Sequence, residues 1–264
     1  MARALVTVTR LVPPGLRRRL QRLALRTDAG RRLVWREKGV EHELDFWTRW
    51  FESEGLHWPD DYRRRLDPHA PLEEELVADR LDALPGATVS ILDVGAGPLT
   101  FLGKRHPRKA LELTPIDALA DEYDRLLARF GVEPPVRTLQ CPGEQLLERF
   151  GPESFDVAYA RNSLDHSYDP LTTIRNMVAA VRTHGFVALR HVRTEGAKQN
   201  YSGFHQWNFD LPDGRLVLSS KATRHDVGAE LGPGVRVDAF AATDDEDDWV
   251  LAVLTKAQEP NVSR

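Results

Sequence analysis

Cysteine is nearly absent from these 264 residues. Cys141 stands alone, which excludes an intrachain disulfide and suits a reducing cytoplasm, where the protein is expected to reside. Long apolar runs are missing too: none approaches the ~20 residues of a membrane-spanning helix. Near the start, Leu11-Val12-Pro13-Pro14-Gly15 is broken by prolines and followed by arginines instead of a small-residue cleavage site, so no secretory signal is expected. Lysine is scarce, because 30 of the 36 basic residues are arginine, a skew associated with GC-rich bacterial genomes. What is present, 41% hydrophobic and 29% charged residues with net charge −4, describes a soluble globular chain with room for one full domain and an addition.

Charge is unevenly distributed. Residues 1–38 carry eleven basic side chains against Asp28 and Glu37, a balance of +9, so the remainder carries −13 to reach −4. Leu16, Leu20 and Leu23 with Arg17, Arg18, Arg19, Arg22 and Arg26 predict a basic amphipathic helix after Pro13-Pro14. Two roles are open to it: peripheral contact with an anionic membrane or a nucleic acid, or packing on its own domain or on a second copy in a homodimer, the packing role being favoured. The acidic remainder argues against an enzyme acting on nucleic acid. Four of the six tryptophans follow within residues 35–72, where Trp35, Phe46, Trp47, Trp50, Phe51, Trp58 and Tyr62 cluster. The pairs Phe46/Trp50 and Trp47/Phe51 have helical spacing, which predicts a packed helical hairpin or cap; a lid over the sheet's ligand face that stacks rings on a sugar or planar acceptor is the alternative, and one helix can be both. Polar groups in Leu56-His57-Trp58-Pro59-Asp60-Asp61-Tyr62 suit a substrate pocket, with Trp58 and Tyr62 as candidate contacts. The expected division is therefore a helical arm and aromatic cap over 1–80, a second domain over 81–258 and a flexible tail over 259–264.

The most informative stretch is Val89-Ser90-Ile91-Leu92-Asp93-Val94-Gly95-Ala96-Gly97-Pro98-Leu99, an apolar strand running through a carboxylate into a glycine turn. Gly95 and Gly97 permit a sharp turn and close approach of a ligand to the backbone. The third glycine of a dinucleotide fingerprint and the Gly-Lys-Ser/Thr of a P-loop are both missing, and Pro98 removes a donor. A carboxylate at this turn repels a pyrophosphate but suits a cationic or amine-bearing ligand. The segment resembles the first motif of the class I S-adenosylmethionine (SAM)-dependent methyltransferases. Ala110-Leu111-Glu112-Leu113-Thr114-Pro115-Ile116-Asp117 reads as a second strand ending about 20 residues after the turn, the distance of a ribose-binding carboxylate. Asp117 as a helix N-cap is the alternative. Cys141-Pro142-Gly143-Glu144-Gln145-Leu146 and Ser154-Phe155-Asp156-Val157-Ala158-Tyr159-Ala160 resemble the family's third and fourth strands, with Gly143 and Glu144 near the adenine. A fifth strand over Gly185–His191 and an antiparallel finish, Val235–Phe240 with Trp249–Leu254, complete the pattern. The resemblance spans Val89 to Lys256. It implies an α/β fold: a Rossmann-like, seven-stranded, mostly parallel sheet with an added N-terminal helical region. It also implies SAM as cofactor, bound by Asp93, Gly95, Ala96, Gly97, Pro98, Asp117, Gly143, Glu144, Arg161 and Asn162. The acidic run Asp244-Asp245-Glu246-Asp247-Asp248 is expected to be solvated surface in a hairpin connection.

Catalytic chemistry is expected after the fourth strand, in Arg161-Asn162-Ser163-Leu164-Asp165-His166-Ser167-Tyr168-Asp169-Pro170. SAM carries the activated methyl, so the protein must place a nucleophile, exclude water and remove one proton. His166 is the natural base for a hydroxyl, Asp165 its orienting partner and His205 a second base. The Asn/Asp-Pro-Pro-Tyr/Phe motif of nucleobase amine methylation is absent. Tyr201, Gln206 and Trp207 sit in a polar, aromatic loop suited to a sugar acceptor. Asp165, His191, Glu195 and His205, with His166 beside them, suit Mg²⁺ or another divalent cation, as in metal-assisted sugar O-methyltransferases; structural hydrogen bonding is the alternative. The expected function is methyl transfer to a hydroxyl of a small polar acceptor such as a saccharide or glycoside. N-methylation of a small amine, non-catalytic SAM binding and nicotinamide nucleotide binding are the alternatives.

Overall fold

Burial decides which apolar runs become inner strands. The structure, a computed structural model, describes residues 28–244 and 247–257. Three helices come first: α1 (Asp28–Glu52), α2 (Pro59–Leu66) and α3 (Glu75–Leu81). Strands and helices then alternate through β1 (Thr88–Val94), β2 (Ala110–Asp117), α4 (Ala120–Phe130), β3 (Leu139–Gln140), α5 (Leu146–Phe150), β4 (Phe155–Arg161), α6 (Pro170–Ala180) and β5 (Val181–Val192). The short α7 (Glu195–Lys198) leads to β6 (Asn208–Asp210), β7 (Val217–Ser219) and β8 (Arg224–Asp226). The chain finishes with α8 (Val227–Leu231), β9 (Val235–Thr243) and β10 (Asp248–Lys256).

Seven strands form one sheet in the order β3-β2-β1-β4-β5-β10-β9, parallel from β3 to β5 and antiparallel at β10 and β9. Six successive residues of the central β4 are buried, as a parallel strand covered on both faces requires. On one face, Leu92, Val94, Ile116 and Ala158 pack with Ile174 and Met177 of α6. Asp169 caps that helix, its carboxylate accepting from the Thr172 amide at 3.0 Å, and Pro170 occupies the first turn. On the other face, Val89, Ile91, Val157 and Tyr159 pack with Leu76, Val77 and Leu81 of α3. A third cluster joins Trp47, Trp50 and Phe51 of α1 to Leu99, Leu119, Tyr123, Leu126, Leu127 and Phe204. It seats α1 against the segments that follow β1 and β2, at Leu99 and Leu119, and against α4. The order reverses direction on either side of β1 and β4, and ligands of open α/β sheets bind beyond the strand ends at such a point.

Local details depart from the sequence reading. The third strand is only Leu139–Gln140, ahead of Cys141, because Pro142 cannot donate to a ladder and Gly143–Gln145 forms a 3₁₀ turn. The fifth strand begins at Val181, four residues before Gly185. Residues expected as an acceptor loop lead into an additional antiparallel sheet, β6-β7-β8, whose Phe209 and Leu218 are buried in the α6 core with Leu216 beside them. Among the described residues no helix is long and apolar enough to cross a membrane. The predicted basic helix around Leu16, Leu20 and Leu23, with Arg17, Arg18, Arg19, Arg22 and Arg26, lies outside the described residues, as does the tail 259–264.

Ile174 is fully buried between α6 and the sheet. Ile174→Ala is expected to cost about 2–5 kcal/mol, read as a lower urea midpoint with an unchanged slope. A loss under about 1 kcal/mol would show that α6 does not close this core.

Candidate active site

The β1 exit turn is built from its own backbone. Gly95 and Gly97 adopt φ of +73° and +67°, values that glycine alone reaches without strain. The Gly95 and Ala96 amides donate to the Ile116 carbonyl at 2.8 and 3.0 Å, folding the turn towards β2. Asp117 completes the link: its Oδ2 accepts from the Gly97 amide at 3.1 Å and its Oδ1 from the Leu119 amide at 2.8 Å. A Cβ on Gly95 would meet the Ser163 side chain at 2.4 Å, and one on Gly97 the Trp47 indole at 2.7 Å. The glycines therefore form a cradle that any larger residue would fill.

Over the turn lies a cavity of about 930 Å³. Of the expected cofactor contacts, Asp93, Gly95, Ala96, Gly97, Asp117, Gly143, Glu144, Arg161 and Asn162 all line it, whereas Pro98 does not. The cradle, paired carboxylates and nearby guanidinium groups fit a ligand bearing a ribose diol, an ammonium, a sulfonium and a carboxylate. Asp93 is buried; burial pushes its pKa up to about 6, opposed in part by the Thr100 hydroxyl, which donates to it at 2.5 Å. Asp117 is also pushed up to about 6, chiefly by desolvation, with the Leu119 and Gly97 amides opposing. On the opposite wall, Arg65 of α2 binds the Leu99 carbonyl and Asp61, each at 2.7 Å. Arg64 binds the Phe101 carbonyl at 2.6 Å, and Arg161 lies 3.8 Å over the Phe101 ring.

At the other end of the cavity, His166 and His205 line the wall and meet the buried Asp165. Asp165 and His166 come from the 3₁₀ turn Leu164–His166 after β4, and His205 from the loop before β6. His205 Nδ1 is 2.7 Å from Asp165 Oδ2 and 2.9 Å from His166 Nε2. His166 Nδ1 lies 3.5 Å from Glu43 Oε2, on α1. Glu43 is itself held by the Trp47 indole N–H at 2.8 Å. Burial alone would raise the Asp165 pKa, but the adjacent His166 and His205 hold it below the usual range. For His166, burial acts to lower the pKa and is outweighed by Asp165, Glu43 and Asp117, so its net shift is upward.

Other candidates take structural roles. His191 is buried and stacked on Phe209 at 3.9 Å, and desolvation depresses its pKa to about 3, so it stays neutral in the core. Glu195 lines the cavity and accepts from the Gln199 amide at 2.9 Å. The donor atoms of His191 and Glu195 do not cluster with those of Asp165 and His205, so the four-residue metal set does not form; the convergent group among the described residues is Asp165, His166 and His205. Trp58 lines the cavity, but Tyr62 packs against Trp50, and Tyr201 accepts from the Asn208 amide. Gln206 braces its own loop through the Tyr201 and Gly203 carbonyls, and Trp207 packs against the core. These four side chains are corrected from acceptor contacts to loop and core supports. In the acidic run, Asp244 accepts from the Trp249 indole and Asp247 lines the cavity beside Lys198, so neither is simply solvated surface. Sequence reading missed Glu43, Arg64 and Arg65, whose only signal was membership of the aromatic helical region.

Residues 92–189 match the family model described as a methyltransferase domain. With the sheet order and the glycine turn, this match marks residues 92–189 as a methyltransferase domain of Rossmann-like α/β fold. Among solved structures, Burkholderia thailandensis 1,6-didemethyltoxoflavin-N1-methyltransferase is 17% identical, covering 82% of this chain and 87% of its own, with a TM-score of 0.44. Haemonchus contortus phosphoethanolamine N-methyltransferase 2 is 14% identical over 70% of this chain and 52% of its own, TM-score 0.47. A Listeria monocytogenes SAM-dependent methyltransferase is 13% identical over 68% and 97%, TM-score 0.43. No curated protein matches the chain significantly.

Gly97→Val is expected to retain the far-UV circular dichroism of the parent and to weaken S-adenosylhomocysteine binding by at least ~100-fold. Unchanged affinity in calorimetric titration would remove the turn from the site. Because Asp93 and Asp117 are raised to about 6, both are largely protonated near pH 5 and ionised near pH 7. The carboxylate form attracts an ammonium and accepts from ribose, so binding is expected to strengthen at least ~10-fold between those pH values. A flat profile would show that neither carboxylate holds the ligand.

Proposed function

We propose that this methyltransferase transfers the methyl group to a hydroxyl of a small polar acceptor, a saccharide or glycoside. One observation carries the reading: the His166 and His205 side chains line the cavity whose other wall is the glycine turn, with the buried Asp165 carboxylate held against both. SAM supplies the activated methyl when bound. Asp117 is assigned to the ribose, Asp93 to the positive charge of the methionine end, and Gly143 with Glu144 to the adenine side. Arg65 and Arg161 suit its carboxylate. Trp47 and Trp58 of the N-terminal helices line the cavity and are assigned to cover it and exclude water, so on this reading the described residues 28–80 serve as a cap and 81–257 as the catalytic domain. His166, half-buried and facing both Glu43 and the trio, accepts the hydroxyl proton, while Asp165 orients His205. A buried lone cysteine fits the reducing cytoplasm as the site of action.

A second reading, N-methylation of a small amine, draws on Glu43 and Glu195, two carboxylates at the cavity wall that would attract a cationic acceptor. An acceptor screen with methyl-labelled SAM decides between them: turnover of glycosides supports the first reading, turnover of amines alone the second. For a hydroxyl acceptor, His166→Ala and His205→Ala are each expected to lower kcat on the order of 10²–10⁴-fold with S-adenosylhomocysteine affinity unchanged. Full activity in both variants would assign proton removal elsewhere.

A further inference from the structure

We propose that Asp165, His166 and His205 bind one divalent first-row transition cation at the acceptor end of the cavity. The three nearest atoms, Asp165 Oδ2, His166 Nε2 and His205 Nδ1, are separated by 2.7, 2.9 and 3.4 Å. Ligand bonds of about 2.1 Å meeting at angles between square and tetrahedral place neighbouring donor atoms about 3.0–3.4 Å apart. The observed triangle approximates one face of such a coordination shell before any ion is added.

Protons satisfy this triangle poorly. A ring nitrogen offers either one N–H or one lone pair. His205 Nδ1 cannot donate to Asp165 and accept from His166 at once; a single N–H would have to be shared between two acceptors. A cation uses all three lone pairs together. Further observations point the same way. The second carboxylate oxygen, Asp165 Oδ1, is buried with no hydrogen-bond partner among the described residues. Behind His166, Glu43 Oε2 stands 3.5 Å from Nδ1, the position of a carboxylate that would hold the remaining ring N–H and aim Nε2 at an ion. The two segments carrying the donors are also tied together, because the Gln206 amide donates to the Asp165 carbonyl at 3.1 Å.

Two imidazoles and one carboxylate choose among cations. Mg²⁺ and Ca²⁺ prefer oxygen shells, whereas Zn²⁺, Mn²⁺, Fe²⁺ and Co²⁺ accept imidazole nitrogen, so the site is assigned to the second group. With three protein donors and an open side towards the cavity, positions remain for acceptor oxygens. The inference rests on the proposed function in placing the acceptor here. It changes how the hydroxyl loses its proton, since the ring nitrogens become ligands, but not which residues surround it.

The test uses the full chain stripped with a chelator and then titrated separately with Zn²⁺, Co²⁺ and Mg²⁺. One equivalent of Zn²⁺ is expected to bind, Co²⁺ to give visible ligand-field absorption, and Mg²⁺ to bind at least ~100-fold more weakly than Zn²⁺. His205→Ala and Asp165→Asn are each expected to weaken Zn²⁺ by at least ~100-fold, and Glu43→Gln, which removes no ligand, by about 10-fold. S-adenosylhomocysteine titration of every variant reports whether it remains folded and able to bind cofactor. Zn²⁺ binding unaffected by His205→Ala and Glu43→Gln in proteins that still bind S-adenosylhomocysteine overturns the inference. So does equal affinity for Mg²⁺ and Zn²⁺, or no saturable binding. Failure of the parent to bind S-adenosylhomocysteine strikes instead at the proposed function.

Discussion

The contact between the Trp47 indole and the backbone of Gly97 is the constraint on which the site depends. It brings a helix from the N-terminal region against the turn where β1 leaves the sheet, and it exists because residue 97 has no Cβ. An aromatic residue of this size contributes a large share of apolar burial, and Trp47 is joined by Trp50 and Phe51 in edge-on ring contacts. The same indole donates to Glu43, so hydrophobic packing also fixes a carboxylate at the cavity wall. Glu43 in turn faces His166. A single packed side chain thus relates the glycine turn to the His166 end of the cavity, through one hydrogen bond and one ion pair.

Carboxylates do different work here because their neighbours differ. Asp93 and Asp117 are desolvated near cations or amides too few to compensate, and both are raised to about 6. Asp165 is more deeply enclosed, yet two imidazoles hold it below its ordinary value. Removing water penalises all three charged forms; the partner at hydrogen-bond distance decides the net direction. The first two are therefore suited to a ligand that brings positive charge and hydroxyl donors. The third stays an anion suited to orienting imidazole or holding a cation.

Much of the fold was legible because strand patterning and glycine geometry act over a few residues. Ala110–Asp117 was bounded correctly as a strand, and Asp93 through Gly97 marked the turn, because alternating exposure along the strand and positive φ leave direct traces in residue type. The third strand was misplaced by a few residues, since a strand of only Leu139–Gln140 has too little pattern to read. The loop from Tyr201 to Trp207 misled for a different reason. Its polar and aromatic side chains suggested a pocket wall, but Gln206 turns back to its own backbone and Trp207 packs inward, leaving Phe204 and His205 towards the cavity. Composition does not say which way a loop faces.

Most strand positions, the glycine turn and the acidic ends of β1 and β2 were legible in the residues alone, because each rests on local patterning or on the conformational limits of single residues. Long-range packing alone set Glu43 and Arg65 in the cavity wall, kept His191 out of it, and brought His166 and His205 together at Asp165. Those outcomes depend on where helices and loops far apart in the chain come to rest. Their docking is set by mutual packing of Trp47, Phe204 and their neighbours, a property of no single segment.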